Sequence, residues 1–166
     1  MDTGFLGEDI LDRLPSGSTL GATRVGGVDL NKPRMRDALR AALALAPAPN
    51  GFTVAEFTAK VHALTGHDHT GYSVRQAAYD LRKLRGKQLV DKPGRARRYR
   101  VGAPAARTIA ALLTLRDQVI APILAGIRSP RMGRKPVTWT SVDRDYEKIR
   151  IDMQTLFRDL GIRAAG

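Results

Sequence analysis

Residues 72 to 101 carry the stretch that decides the fold. They run Tyr72-Ser73-Val74-Arg75-Gln76-Ala77-Ala78-Tyr79-Asp80-Leu81-Arg82-Lys83-Leu84, then Lys87-Gln88-Leu89-Val90, Asp91-Lys92-Pro93-Gly94 and Arg97-Arg98-Tyr99-Arg100-Val101. Ser73 followed at the third position by Gln76 is a capping-box signature, in which each side chain bonds the other's backbone N–H and opens a helix. Val74, Ala77, Ala78, Leu81 and Leu84 recur at helical spacing and form its predicted inner face. At 100° per residue, Gln76, Tyr79 and Lys83 then stand opposite that face, with Arg75 and Arg82 on its flanks. Beyond the helix, Leu89-Val90 and Arg97–Val101 flank a turn-prone Asp-Lys-Pro-Gly and predict a hairpin with Tyr99 and Val101 on one side, Arg98 and Arg100 on the other.

Upstream, Pro33 suits a first helical turn, and Met35, Leu39, Ala42, Leu43 and Ala46 make one apolar stripe. Pro47, Pro49 and Gly51 stop that helix. Thr53 with Glu56 is a second capping box, opening a helix whose apolar face is Val54, Phe57, Val61 and Leu64. Three short helices therefore precede the hairpin. The second and third are separated by residues 65–72, a longer connection than the three or four residues of a minimal helix-turn-helix. His67, Asp68 and His69 lie there, near His62; with no cysteine to join them they read as a surface turn, and no metal is assigned.

The first 31 residues contain six glycines and short apolar patches, read as a loosely structured arm with at most a helical turn over Asp9–Leu14. After the hairpin, a long helix is predicted from Pro104 to Ile127 with a kink at Pro122, followed by a basic linker over residues 129–136. A last helix, capped near Thr140 or Ser141 and stopped by Gly161, places Val142, Tyr146, Ile149, Met153, Leu156 and Leu160 on one stripe, with Trp139 as its anchor. Such a stripe needs a partner helix, and a two-fold seam is the reading preferred over an intrachain pairing with the long helix. The expected organisation is a glycine-rich arm at 1–32, a domain at 33–102 and a C-terminal helical extension at 103–166 that dimerises.

Charge narrows the partners. The 166 residues carry 28 Lys and Arg against 16 Asp and Glu, a formal net charge of +12. Residues 33–102 hold +9 and 103–136 hold +5, whereas 1–32 sum to −2 and 137–166 to zero. With 43% hydrophobic residues the chain can bury a core, so the excess belongs to a folded surface suited to a polyanion. The absence of cysteine removes disulfides, thiolate metal sites and thiol nucleophiles. No membrane span or signal peptide is legible, and a cytoplasmic, nucleoid-associated protein is the expectation. Phosphate-binding, nucleotide-binding, hydrolase and zinc-protease motifs are all missing from the sequence. Neither an enzyme nor a cofactor is expected.

In order and residues, 33–102 resembles the winged helix-turn-helix superfamily of bacterial DNA-binding regulators. The Tyr79-Asp80-Leu81-Arg82-Lys83-Leu84-Arg85 core is also similar to a group of bacterial proteins with a Tyr-Asp-Leu-Arg-x-Leu-Arg motif. The resemblance implies a mainly helical fold with a small β-hairpin, a recognition helix over Ser73–Arg85 and a wing bearing Arg95, Arg97, Arg98 and Arg100. It implies double-stranded DNA as partner and transcriptional regulation as role, while a homodimer through the C-terminal helices is the expectation drawn from their apolar stripe. Ser73, Arg75, Gln76, Tyr79, Arg82 and Lys83 are the helix residues expected to read or position on the major groove. A nonspecific accessory nucleic-acid binder and a winged-helix protein-interaction module are the alternatives.

Overall fold

A computed structural model describes residues 9–66, 71–95, 97–121 and 141–159. The chain is mainly helical, with one small two-stranded antiparallel sheet. In order come α1 (Ile10–Arg13), β1 (Ser18–Leu20), β2 (Thr23–Val25), α2 (Pro33–Leu45), α3 (Val54–Thr65), α4 (Val74–Gly86), α5 (Ala103–Leu115) with a π-helical continuation over Arg116–Ile120, and α6 (Ser141–Asp159). Two compact units divide within α5, one at Met1–Leu113 and the other at Thr114–Gly166.

The first unit is built on α2, α3 and α4. Pro33 opens α2, which buries Met35, Ala38, Leu39, Ala41 and Ala42. Both predicted capping boxes are formed: the Thr53 hydroxyl accepts from the Glu56 N–H and the Ser73 hydroxyl from the Gln76 N–H, each with the reciprocal bond. The core adds Phe52, Phe57, Val61, Tyr72, Ala77, Leu81 and Leu84, closed by Ile109, Leu112 and Leu113 of α5. Phe52 stacks between Phe57 and Tyr99, with ring centroids 5.8 and 6.2 Å away. His62 Nε2 stands 2.7 Å from the Tyr72 carbonyl oxygen and joins α3 to the entry of α4.

Two expectations are corrected. The regular sheet lies at 18–25, within the stretch read as a loose arm, with Ser18 opposite Val25, Thr19 opposite Arg24 and Leu20 opposite Thr23. The arm is anchored: Leu14, Val25, Val28 and Leu30 are buried, and the Val28 N–H donates to the Leu14 carbonyl at 2.8 Å. Gly27 passes so close to Pro15 that a methyl group there would stand 1.9 Å from the Pro15 carbonyl oxygen. The hairpin predicted at 89–101 is reduced to isolated bridges, Asp91 with Arg100 and Tyr99 with Phe52. Pro93 has no N–H to extend a ladder, and Arg98 reaches across to the carbonyls of Asn50 and Gly51. Leu89, Val90, Tyr99 and Val101 are nonetheless buried as the alternation requires.

In the second unit the helix after Leu115 widens into the π-helical stretch ahead of Pro122 in sequence. The Tyr146 hydroxyl of α6 donates to the Gln118 carbonyl. Met153 and Tyr146 are half-buried, while Ile149 is 40% exposed. The expected kink at Pro122, the basic linker, Trp139, Leu160 and Gly161, the side chains of Val142 and Leu156, and the His67-Asp68-His69 turn lie outside the described residues.

Candidate nucleic-acid interface

The orientation of α4 about its axis decides which side chains face outward. Asp80 is fully buried, whereas Val74, expected on the inner face, is 53% exposed. The buried set Ala77, Asp80, Leu81 and Leu84 is turned by roughly 45° from the predicted one, at 100° per residue. The cause is a polar network: Arg34 Nη2 donates to Asp80 Oδ1 at 2.9 Å, and the buried Tyr72 hydroxyl donates to Oδ2 at 3.1 Å. A buried carboxylate with two donors costs far less than one without partners, so the helix turns Asp80 inward. Burial still pushes the Asp80 carboxyl above its ordinary range, against the pull of Arg34. Burial and the Asp80 charge together raise the Tyr72 phenol as well.

This turn moves Arg75 and Arg82 from the flanks to the middle of the outward face, where both are exposed. Gln76 is half-buried, its Oε1 accepting from the Ser73 N–H at 2.8 Å. Two of the expected reading residues, Ser73 and Gln76, are thus committed to capping. Tyr79 is 45% exposed and carries Lys83 Nζ over its ring, 4.9 Å from the centroid. Lys83 also lines a small cleft with Gly27, Asp29, Lys32, Arg34 and Met35.

The hairpin β1–β2 occupies the side of α4 that Tyr79 and Lys83 face. A methyl group at Gly26 would lie 3.5 Å from the Tyr79 hydroxyl and 3.6 Å from Lys83 Cε. One at Gly86 would stand 2.7 Å from the Ser18 Cβ, so the helix admits the strand because it ends in glycine. Lys87 Nζ donates to the Arg13 carbonyl and ties α1 to the end of α4. No periodicity announced this contact, because three-residue strands in a glycine-rich stretch are too short to show alternation.

Among the arginines after α4, Arg95, Arg97 and Arg100 are exposed. Arg98 is set apart: its guanidinium donates to the Asn50 and Gly51 carbonyls, both at 2.9 Å, and pairs with Glu56 at 3.3 Å. Glu56 is held below the usual carboxylate range first by the Thr53 N–H and hydroxyl, then by Arg98. Arg98 is therefore a brace between this segment and the start of α3. Lys92 lies over the Tyr99 ring, 5.7 Å from its centroid. Five exposed guanidiniums, on Arg75, Arg82, Arg95, Arg97 and Arg100, remain from the ten residues expected to meet nucleic acid.

Among the described residues no group of three or more His, Cys, Asp or Glu side chains is arranged to hold a metal ion. No helix among them is long and apolar enough to cross a membrane. Comparison with protein-family models, curated proteins and solved structures returns no match.

Proposed function

We propose that the chain binds double-stranded DNA through α4 and the arginine-rich segment after it, as a winged helix-turn-helix regulator of transcription. The observation that carries this reading is the cationic face itself. Arg75 and Arg82 are exposed at the middle of the outward face of α4, whose N-terminus is closed by a capping box, followed by exposed Arg95, Arg97 and Arg100, in a chain of net charge +12. Guanidiniums suit both guanine edges and phosphates. The paired positions Phe52 with Tyr99 and Asp91 with Arg100 support the winged reading, since they join the segment before α3 to both sides of the expected wing. Homodimerisation through the C-terminal helices belongs to the same proposal, supported by the exposure of Ile149 on the predicted stripe of α6.

A second reading, a sequence-tolerant accessory binder, is favoured by one observation. Gln76, the side chain best suited to adenine, spends its carbonyl oxygen on the helix cap. Titration of a mixed-sequence duplex at rising salt tests both. Wild-type binding falls steeply with salt, and Arg97→Ala lowers the log–log slope by about 1 on every sequence. Binding that is absent at low salt, or indifferent to salt, contradicts the proposal.

A further inference from the structure

We infer that hairpin β1–β2 is a second nucleic-acid contact, a backbone clamp beside α4 that takes duplex phosphates; the inference rests on the DNA-binding reading above. Position is the first argument. Gly26 stands beside Tyr79 and Lys83, and Ser18 abuts Gly86, so a duplex approaching the outward face of α4 meets the hairpin as well. The hairpin is not a detachable lid. Val25 and Val28 are buried, Val28 bonds Leu14, Lys87 bonds Arg13, and Gly27 threads against Pro15.

Size is the second argument. A helix with its side chains is about 10–12 Å across, and the major groove is about 12 Å wide, enough for one helix or one two-stranded ribbon. Packed side by side, α4 and β1–β2 exceed it. The helix therefore enters with the first turn, where Arg75 lies, while the ribbon over Tyr79, Lys83 and Gly86 rides on the flanking backbone.

Charge and register are the third. From Arg13 to Val28 the chain has no carboxylate. Val25 is buried and Ser18 and Leu20 are half-buried, whereas the paired residues Thr19 and Arg24 are both exposed. A guanidinium and a hydroxyl side by side on the exposed face of a ribbon are phosphate ligands.

The test uses the full chain, wild type and the variants Arg24→Ala, Arg24→Glu and Arg97→Ala, each titrated with a mixed-sequence duplex. If the hairpin is a clamp, Arg24→Ala lowers the salt slope by about 1, so that the affinity ratio between about 50 and 200 mM salt shrinks roughly fourfold. Arg24→Glu weakens binding further, alike on all sequences, while circular dichroism stays unchanged. If both Arg24 variants bind as wild type while Arg97→Ala loses slope, the clamp is refuted and the DNA reading survives. Tighter binding by Arg24→Glu refutes it in favour of a cover over α4. Wild-type protein that binds no duplex at low salt refutes both.

Discussion

Asp80 shows how one side chain sets the aspect of a helix. It is the only carboxylate of α4, and from spacing alone it belongs with the polar residues. Its partner Arg34 is 46 positions away and Tyr72 eight, so nothing local marks the network. Asp80→Ala leaves the buried Tyr72 hydroxyl without its acceptor and lowers stability by about 2 kcal/mol, read by urea unfolding. The pH dependence has a definite sign. A folded-state carboxyl raised above 3.8 binds its proton more tightly than the unfolded chain does. The Asp80 contribution is fully present below 3.8 and is lost as pH rises through the raised value. Wild type therefore loses stability relative to Asp80→Asn between acid and neutral pH; a gain over that interval contradicts the assignment.

Gln88 is the second residue with a consequence. At φ 59° it occupies the left-handed region, where its N–H donates to the Arg85 carbonyl and the next N–H, of Leu89, to that of Leu84. Such a helix stop favours glycine, because a side chain there costs about 1–2 kcal/mol. Part of that gain is offset by glycine's greater freedom in the unfolded chain. Gln88→Gly should stabilise the protein by about 0.5 kcal/mol, seen as a raised Tm. A lowered Tm would show that the Gln88 side chain holds something that compensates the strain.

At the scale of elements, what was legible was whatever local chemistry decides. Both capping boxes, the starts of α2, α3 and α4, and the buried aromatic of the returning segment followed from residue type and spacing. The hairpin at 18–25 was not legible, since its order comes from packing on α4 rather than from its own propensity. The turn of α4 was missed for the same reason, and with it the exchange of Gln76 and Lys83 for Arg75 and Arg82 at the outward centre. Arg98, read as a wing contact to nucleic acid, is a brace because Asn50 and Gly51 offer carbonyls that only the fold brings near. The capping role of Gln76 is separable from reading. Gln76→Ala should cost about 0.5–1 kcal/mol in thermal unfolding, and Gln76→Glu, which restores the reciprocal cap and adds a charge at the helix N-terminus, should cost nothing. Equal losses in the two variants would contradict the capping assignment.

Across the whole molecule the charge is segregated: +14 falls on residues 33–136 and −2 on the remainder. The first unit supplies its own core and presents exposed arginines on α4, on the segment after it and at Arg24 of the hairpin. The central claim is that this cationic face engages double-stranded DNA with a preference for sequence. Enrichment of a random duplex library on the purified full chain, with the bound fraction followed as salt rises, tests it most directly. The account predicts a recurring motif that survives near-physiological salt, with two half-sites about one helical turn apart, roughly 34 Å, if the C-terminal helices pair. A library that binds and releases uniformly would contradict sequence reading, and one that does not bind at all would contradict DNA as the partner of this face.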